Sequence, residues 1–453
     1  MSLYLSNISK KSFIINLLFS SLVFSFIAGN LIININVLLI IVISIFFYKK
    51  KIMDINLDLI DKTIIAFFIY IILSGLLKNV YYLTEVSSKD FTILIKTILF
   101  LRYLILYFVI KYLIKENIIN LKLFFITSFC AVSFVCLDII YQALYGYDIF
   151  GFKGLERRLS GPFGDELIAG SFIQRFSLFS LFLFPIFYKF KSNYTSYLII
   201  FILVCLITSS LILSGNRIPA ILFFLIIVSV TIFEKKLRRY FFLFIIVSSS
   251  IFTSLYHLDK NINYHFNHLQ QQAKRMFLIL SPENILTKEE LKKSYSNERA
   301  SNMFYTFEYK GKTYKMRNSY LKEFKAGYYT WKINKIFGGG FNSFIKNCGR
   351  AKVVTCNNHP HNYYLEILAE LGLVGFLISF FLFSIIFLKT FVKKYFRKSN
   401  LENYHLITPF IFLFFAELFP IKTTGSFFTT GNATYIFLML SILVSLIKVK
   451  ELD

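Results

Sequence analysis

Long apolar runs separated by short polar and basic pieces make up most of the chain. A helix that crosses a ~30 Å hydrocarbon layer needs about 20 mostly apolar residues. Runs of this kind lie at 13–29, 31–48, 60–77, 91–110, 123–145, 166–188, 195–213, 217–233, 240–256, 364–388, 406–420 and 432–447, which predicts twelve spanning helices. Three are weaker than the rest: 31–48 carries Asn34 and Asn36, and 217–233 and 406–420 are short. The first run is long for the apolar part of a signal and no small-x-small site precedes Asn30, so a retained helix is expected there.

The charges between the runs alternate. Short cytoplasmic loops are enriched in Lys and Arg. With the N-terminus inside, the inner pieces hold Lys10 and Lys11; Lys49, Lys50 and Lys51; Lys111, Lys115 and Lys122; Lys189 and Lys191; Lys235, Lys236, Arg238 and Arg239; Lys389, Lys393, Lys394, Arg397 and Lys398; and Lys448 and Lys450. The short outer pieces carry far fewer: Lys78 and Lys89, then Lys153, Arg157 and Arg158, then Arg217 at a span edge, then Lys422. This orientation places both termini in the cytoplasm. It divides the chain into helices 1–9 (residues 1–256), an outer loop domain (257–362) and helices 10–12 (363–453). The expected fold class is an all-α polytopic membrane protein, with the large periplasmic loop mainly helical.

Composition supports the bilayer as solvent. The apolar share is 56%, the charged share only 17% and the mean hydropathy +0.61, against about half and a quarter in soluble domains. The net charge of +25 would suggest nucleic acid in a soluble chain, but here the bases follow the membrane and no nucleic-acid partner is expected. Segment 257–362 is separate from that rule, with 18 Lys/Arg against seven Asp/Glu on the outer side. Either this is a solvated surface of a Lys-rich chain, or it meets an anionic partner such as a lipid diphosphate, a phosphorylated glycolipid or lipid headgroups.

Candidate chemistry gathers around that segment. Cys130, Cys136 and Cys205 fall in spans and read as packing residues. Cys348 and Cys356 lie outside, where an oxidising compartment favours a disulfide. The rival is a zinc set completed by His359 and His361. Pro360 suits the first turn of span 10, which places His361 at the positive end of a helix, where imidazolium is disfavoured. A neutral imidazole at the membrane face is a suitable proton acceptor. Gly372 and Gly375, three apart, permit close approach of a neighbouring backbone. The bland alternative is that the histidines cap and the glycines pack.

His361-Asn362, nine residues, Gly372, two residues and Gly375 resembles the His-Asn-x9-Gly-x2-Gly signature of the O-antigen ligase and polymerase superfamily of bacterial envelope glycosyltransferases. Trp331 with Phe337-Gly-Gly-Gly-Phe-Asn-Ser-Phe344 resembles the family's aromatic and glycine-rich approach to that histidine. Leu213-Ser-Gly-Asn-Arg217 resembles its segment ending in an arginine at a span edge, and Arg157-Arg-Leu-Ser-Gly-Pro-Phe-Gly-Asp-Glu-Leu-Ile-Ala-Gly170 its outer loop of arginine then glycine. Many relatives have an Asn near Asp165-Glu166, which this chain lacks.

The resemblance implies transfer of a glycan from an undecaprenyl diphosphate carrier to an acceptor hydroxyl such as that of lipid A-core, in the bacterial inner membrane, with no cofactor or obligatory metal. A polymerase with the same donor is the alternative, and a polysaccharide flippase or small-anion transporter a more remote one. In this chemistry His361 is the base and Arg217, Arg157 and Arg158 hold the diphosphate. Asn362, Gly372, Gly375 and Glu366 support them. Guanidinium groups match phosphate oxygens bidentately and supply fixed positive charge. Membrane lipids and a glycolipid or glycan acceptor are the remaining partners. Lys96, Arg102, Asp138, Arg175 and Glu417 fall within spans, where ionisable groups face protein or water. Arg102 and Arg175 are candidates either for the lipid diphosphate or for pairing with Asp138 or Glu417. Glu366 and Glu370, one turn apart, either orient His361 or satisfy neighbours.

Overall fold

The computed structural model describes residues 10–53, 57–85, 91–155, 158–188, 193–260, 262–264, 266–267, 270, 304–309, 312–317, 319–351, 356–397, 404–420, 422 and 425–452. Among these the chain forms α1 (Lys10–Ala28), α2 (Asn30–Met53), α3 (Leu59–Glu85), α4 (Thr92–Phe100), α5 (Arg102–Lys115), α6 (Leu121–Tyr145), α7 (Ala169–Phe187), α8 (Asn193–Leu213), α9 (Arg217–Phe233) and α10 (Arg238–Leu258). A hairpin of β1 (Phe304–Tyr309) and β2 (Lys312–Arg317) comes next, then α11 (Ser319–Ile333), α12 (Phe344–Arg350), α13 (Tyr363–Tyr395), α14 (Thr408–Glu417) and α15 (Thr430–Leu452).

Among the described residues, nine helical segments are long and apolar enough to cross a membrane, and three shorter apolar helices, Tyr197–Leu213, Arg217–Phe233 and His405–Glu417, fill the remaining predicted positions. The all-α polytopic plan therefore holds. Two details differ from expectation. The fourth span is two helices, α4 and α5, that meet at Leu101. The segment between α10 and α13 also contains the antiparallel hairpin, with Phe304 opposite Arg317 and Tyr309 opposite Lys312, where a mainly helical loop was expected.

The bundle is built around α15, whose spanning stretch is 83% buried, whereas that of α10, on the periphery, is 17% buried. A lipid-facing helix can remain apolar on its outer side, so burial and not hydrophobicity separates centre from rim. Around α15 the core is aromatic: Phe437 stacks on Tyr103 and meets Phe68, Phe100 and Phe427. Edge-to-face and offset ring pairs add directional preference to plain burial.

Contacts between helix ends sort the loops into two sets. At one end, Ser12 Oγ and Asn16 Nδ2 donate to Ile118 O at 3.1 and 2.8 Å. Lys111 pairs there with Asp61, and Glu234 meets His405 Nδ1 at 2.7 Å and Lys394 Nζ at 3.4 Å. At the other end, Tyr103 Oη donates to Thr430 O at 3.3 Å and Lys96 Nζ to Asn342 Oδ1 at 2.9 Å. Asn216 Nδ2 donates to Leu167 O at 2.9 Å in the same set. That second end collects every described site candidate.

Candidate functional site

The glycine-rich segment 337–340 lodges in a break of α13. Gly372 has φ 67° and ψ −168°, so the helix stops and restarts there. The backbone groups this frees are taken by the entering loop: Leu373 N donates to Lys335 O at 2.9 Å and Val374 N to Ile336 O at 3.2 Å. In return Gly339 N donates to Ala369 O at 2.9 Å and Gly340 N to Glu370 O at 2.8 Å. Buried amides and carbonyls are costly when unmade, so this exchange is what permits a broken helix in an apolar setting. A Cβ on Gly372 would lie 2.2 Å from Ile336 O, and one on Gly338 would lie 2.4 Å from Glu370 O. Gly375 is different, since its missing Cβ makes room for the Leu371 side chain and the Tyr70 ring, not for another backbone.

The acids of α13 fasten loops. Glu370 Oε2 accepts from Asn342 N at 2.7 Å and its Oε1 from Phe344 N at 3.3 Å. Glu366 Oε2 accepts from Phe427 N at 2.6 Å. Both carboxylates thus satisfy backbone donors, which answers for Glu366 the question left open by sequence.

α13 begins later than the position of Pro360 suggested. Asn362 is its N-cap: Oδ1 accepts from Tyr364 N and Leu365 N, both at 3.1 Å. His361 is therefore outside the first turn and stands just before the cap with φ 53°. Histidine is among the residues that enter this left-handed region more readily than most. The turn aims its ring at His359, with centroids 4.3 Å apart. Burial lowers the His361 pKa. Burial, then the neighbouring His361, lowers that of His359 to about 4. Both effects favour neutral imidazole at neutral pH.

Three consecutive residues after His361 are tied to one segment. Asn362 Nδ2 donates to Pro420 O at 2.8 Å, Tyr363 Oη to Glu417 Oε1 at 2.8 Å and Tyr364 Oη to Leu418 O. Glu417 in turn accepts from Arg175 of α7, with Nη2 to Oε1 at 2.6 Å and Nε to Oε2 at 3.0 Å. Lys422 Nζ lies 2.5 Å from Glu417 Oε2. Arg175 also donates to Asn432 Oδ1 at 2.6 Å and lies over the Tyr435 ring at 4.9 Å.

The arginine loops meet a short distance away. Arg158 forms a bridge with Leu155 and is half-buried; Arg157 lies outside the described residues. Arg217 is the first residue of α9, also half-buried, after the turn Ser214-Gly-Asn216. Asn216 Oδ1 accepts from Gly170 N at 2.9 Å, and a Cβ on Gly170 would lie 2.6 Å from both Asn216 Cβ and Ser214 Oγ. Arg158 and Gly215 line one cavity of ≈ 240 Å³ together with Gln142, Gly154, Asp259 and Phe266. The Arg158 and Arg217 segments are thus brought together, and α7 joins them to the histidine: Gly170 touches the Asn216 turn and Arg175 touches Tyr363. Five residues separate those contacts, a rise of about 7.5 Å along a helix.

Residues 199–380 match the family model described as O-antigen ligase. The matched stretch contains Arg217, the glycine-rich loop, His361, Asn362 and both glycines of the signature. Over that stretch, somewhat under half of its length, the chain is similar to the O-antigen ligase family, which supports the resemblance drawn from the motifs. No curated protein matches the chain. Arg158 and Arg175 lie upstream of the ligase match, so their attachment to it rests on the contacts just described.

Other ionisable residues of the spans have structural partners. Arg102 donates to Leu99 O at 2.8 Å and to Tyr103 Oη at 2.9 Å, and Asp138 Oδ1 accepts from Ile149 N at 2.9 Å. Sequence named Arg175 and Glu417 without joining them to His361. The signal it offered was two opposite charges placed in apolar runs.

Cys348 and Cys356 are bonded to each other, with Cα atoms 5.8 Å apart. Their sulfurs are thereby withdrawn from the rival zinc set. The bridge packs with Ala326, Phe344, Ala369 and Trp331, against the same face of α13 that holds the glycine-rich loop. Closing so short a loop stabilises by about 2.5 kcal/mol in a chain-entropy picture. Alkylation of the unreduced protein followed by mass spectrometry should find both sulfurs protected, and free thiols at both positions would contradict the bond.

Proposed function

We propose that the protein is an O-antigen ligase-like glycosyltransferase that moves a glycan from an undecaprenyl diphosphate carrier to an acceptor hydroxyl at the periplasmic face of the inner membrane. The observation that carries the reading is the ligase-family match over the stretch with Arg217 and His361, whose segments both rest on the first turns of α7. His361 takes the proton of the acceptor hydroxyl as that oxygen bonds to the anomeric carbon. The bond from the anomeric carbon to the diphosphate oxygen breaks, and the negative charge that grows there is met by Arg217 and Arg158, with Arg157 as a further candidate. Fixed guanidinium groups stabilise such charge without reorganising at the moment of reaction.

The base-rich end of the bundle is read as cytoplasmic, with both termini there and segment 257–362 outside. The surplus of bases in that segment suits an anionic lipid surface or a diphosphate. Residues 271–303 of that segment lie outside the described residues. A transporter would more naturally centre its chemistry at mid-bilayer on paired broken helices. The candidate residues here gather at one end, and α13 is broken by a loop that fills the gap.

Polymerase and ligase share this donor and differ in acceptor. Reconstitution with a lipid-diphosphate glycan separates them: ladders on the carrier indicate polymerisation, and glycan on a second acceptor indicates ligation. Absence of any transfer with either acceptor would overturn the proposal.

Arg217 gives a narrower test. Arg217→Ala should lower transfer by about 10²–10³-fold, the scale of losing one preorganised charge-stabilising donor. Arg217→Lys should retain part of the donor binding yet transfer poorly, because a point charge replaces a planar fork. Transfer by the alanine variant at the wild-type rate would give Arg217 a structural role.

A further inference from the structure

Arg175 was a sequence candidate for the lipid diphosphate, but its hydrogen bonds point elsewhere. Its Nε and Nη2 donate to Glu417, Asn432 and the Tyr363 hydroxyl, and its guanidinium lies on the Tyr435 ring. A diphosphate gripped by the Nε–Nη2 edge would have to displace Glu417, which is itself buried and shared with Lys422. The pair instead fixes the end of α14, and residues 417–420 then receive bonds from Asn362, Tyr363 and Tyr364 in succession. His361 is the next residue back, in a backbone conformation that persists only when the neighbouring residues are themselves held in place.

We propose that Arg175 and Glu417 are positioning residues for His361, acting through the 417–420 segment and the Tyr363 hydroxyl to set where the imidazole stands. This rests on the reading of His361 as the base. The chain of contacts runs from α7 to α14 to the start of α13, so α7, which follows the Arg158 loop and bonds the Asn216 turn through Gly170, also helps to set the histidine. The half-buried state of His361, which lowers its pKa, is a consequence of that placement. The titratable groups on the elements meeting this turn include His359 beside it; Tyr363, Tyr364, Glu366 and Glu370 on α13; Arg175 on α7; Glu417 at the end of α14 and Lys422 beyond it; and, on α11, Lys325, Tyr328, Tyr329, Lys332 and Glu323, whose carboxylate accepts from Asn357 Nδ2 at 2.6 Å.

The test uses the full-length protein in detergent or nanodiscs and two readouts. The first is carbethoxylation of His361 by diethyl pyrocarbonate, followed against pH and mapped by mass spectrometry, which needs no glycan. Tyr363→Phe removes one hydroxyl and little else. It should speed modification of His361 several-fold and move its apparent pKa upward toward the ordinary value of about 6.5. Glu417→Gln should do the same more strongly, and Arg175→Lys should restore part of the wild-type profile relative to Arg175→Ala. The second readout is transfer: kcat should fall about tenfold or more in Tyr363→Phe with donor KM within about twofold.

Unchanged reactivity and pKa of His361 in a Tyr363→Phe protein that melts normally would overturn the proposal. So would a raised donor KM with kcat intact, which would return Arg175 to the donor. If the wild type transfers no glycan, the functional reading fails, and the carbethoxylation arm still decides the positioning claim. Tyr363→Phe keeps the test decisive if Glu417→Gln does not fold, since it leaves the ion pair in place.

Discussion

His361→Ala is expected to insert and fold while losing transfer by about 10²–10⁴-fold, the usual contribution of a general base. The fold should survive because nothing packed in the core depends on the ring. The cap belongs to Asn362, and the tethers to 417–420 belong to Asn362, Tyr363 and Tyr364. Alanine at φ 53° carries some backbone strain, so His361→Gly serves as the matched control that relieves it while still lacking an imidazole. Both variants should bind donor, since arginines and not the histidine face the diphosphate in this reading. Burial lowers the pKa of His361, so the base form persists below the ordinary histidine range. Activity should stay level as pH falls through about 6.5, the ordinary histidine value, and drop only below it as the ring gains its proton. His359→Ala should be milder, and chelators should have little effect. Transfer at the wild-type rate by both His361 variants would remove the base assignment.

The helices of the twelve apolar runs, nine of them among the described residues long and apolar enough to span, were legible because a bilayer imposes a length and an apolar composition that can be read residue by residue. Even the short runs 217–233 and 406–420 correspond to helices, Arg217–Phe233 and His405–Glu417. Less legible was anything decided by a partner distant in sequence. His361 and Asn362 stood out as a motif, but the bonds that tie Asn362 and Tyr363 to Pro420 and Glu417 reach more than fifty residues downstream. Pro360 suggested an earlier helix start because proline suits a first turn, and the stronger competing signal was the Asn362 side chain, which caps two amides. Glu366 and Glu370 looked like companions of the histidine by helical spacing. Their partners are backbone amides of loops that spacing cannot reveal. Gly372 was recognised as a close-approach residue, while the break in α13 required knowing which backbone approached.

That break carries the largest expected effect on stability. Gly372→Ala should destabilise the protein by about 4 kcal/mol or more, beyond the usual range for a single substitution. Two causes add. The φ 67°, ψ −168° conformation is one that essentially only glycine adopts, and a side chain there costs about 1–3 kcal/mol by itself. The new Cβ would also stand 2.2 Å from Ile336 O and 2.4 Å from Gly338 N, which are backbone atoms in a hydrogen-bonded exchange and not movable side-chain ends. Relief requires residues 335–340 to withdraw, which forfeits the four backbone bonds that close the break. It also loosens the attachments of Glu370 to Asn342 and Phe344. Gly349→Ala is the control, because α12 has open space at that position and alanine is the better helix former. Thermal unfolding in detergent should separate the two, with Gly349→Ala at or slightly above wild type and Gly372→Ala far below it or not recovered folded. Equal melting of Gly372→Ala and wild type would mean that the glycine-rich loop does not enter α13 in the membrane.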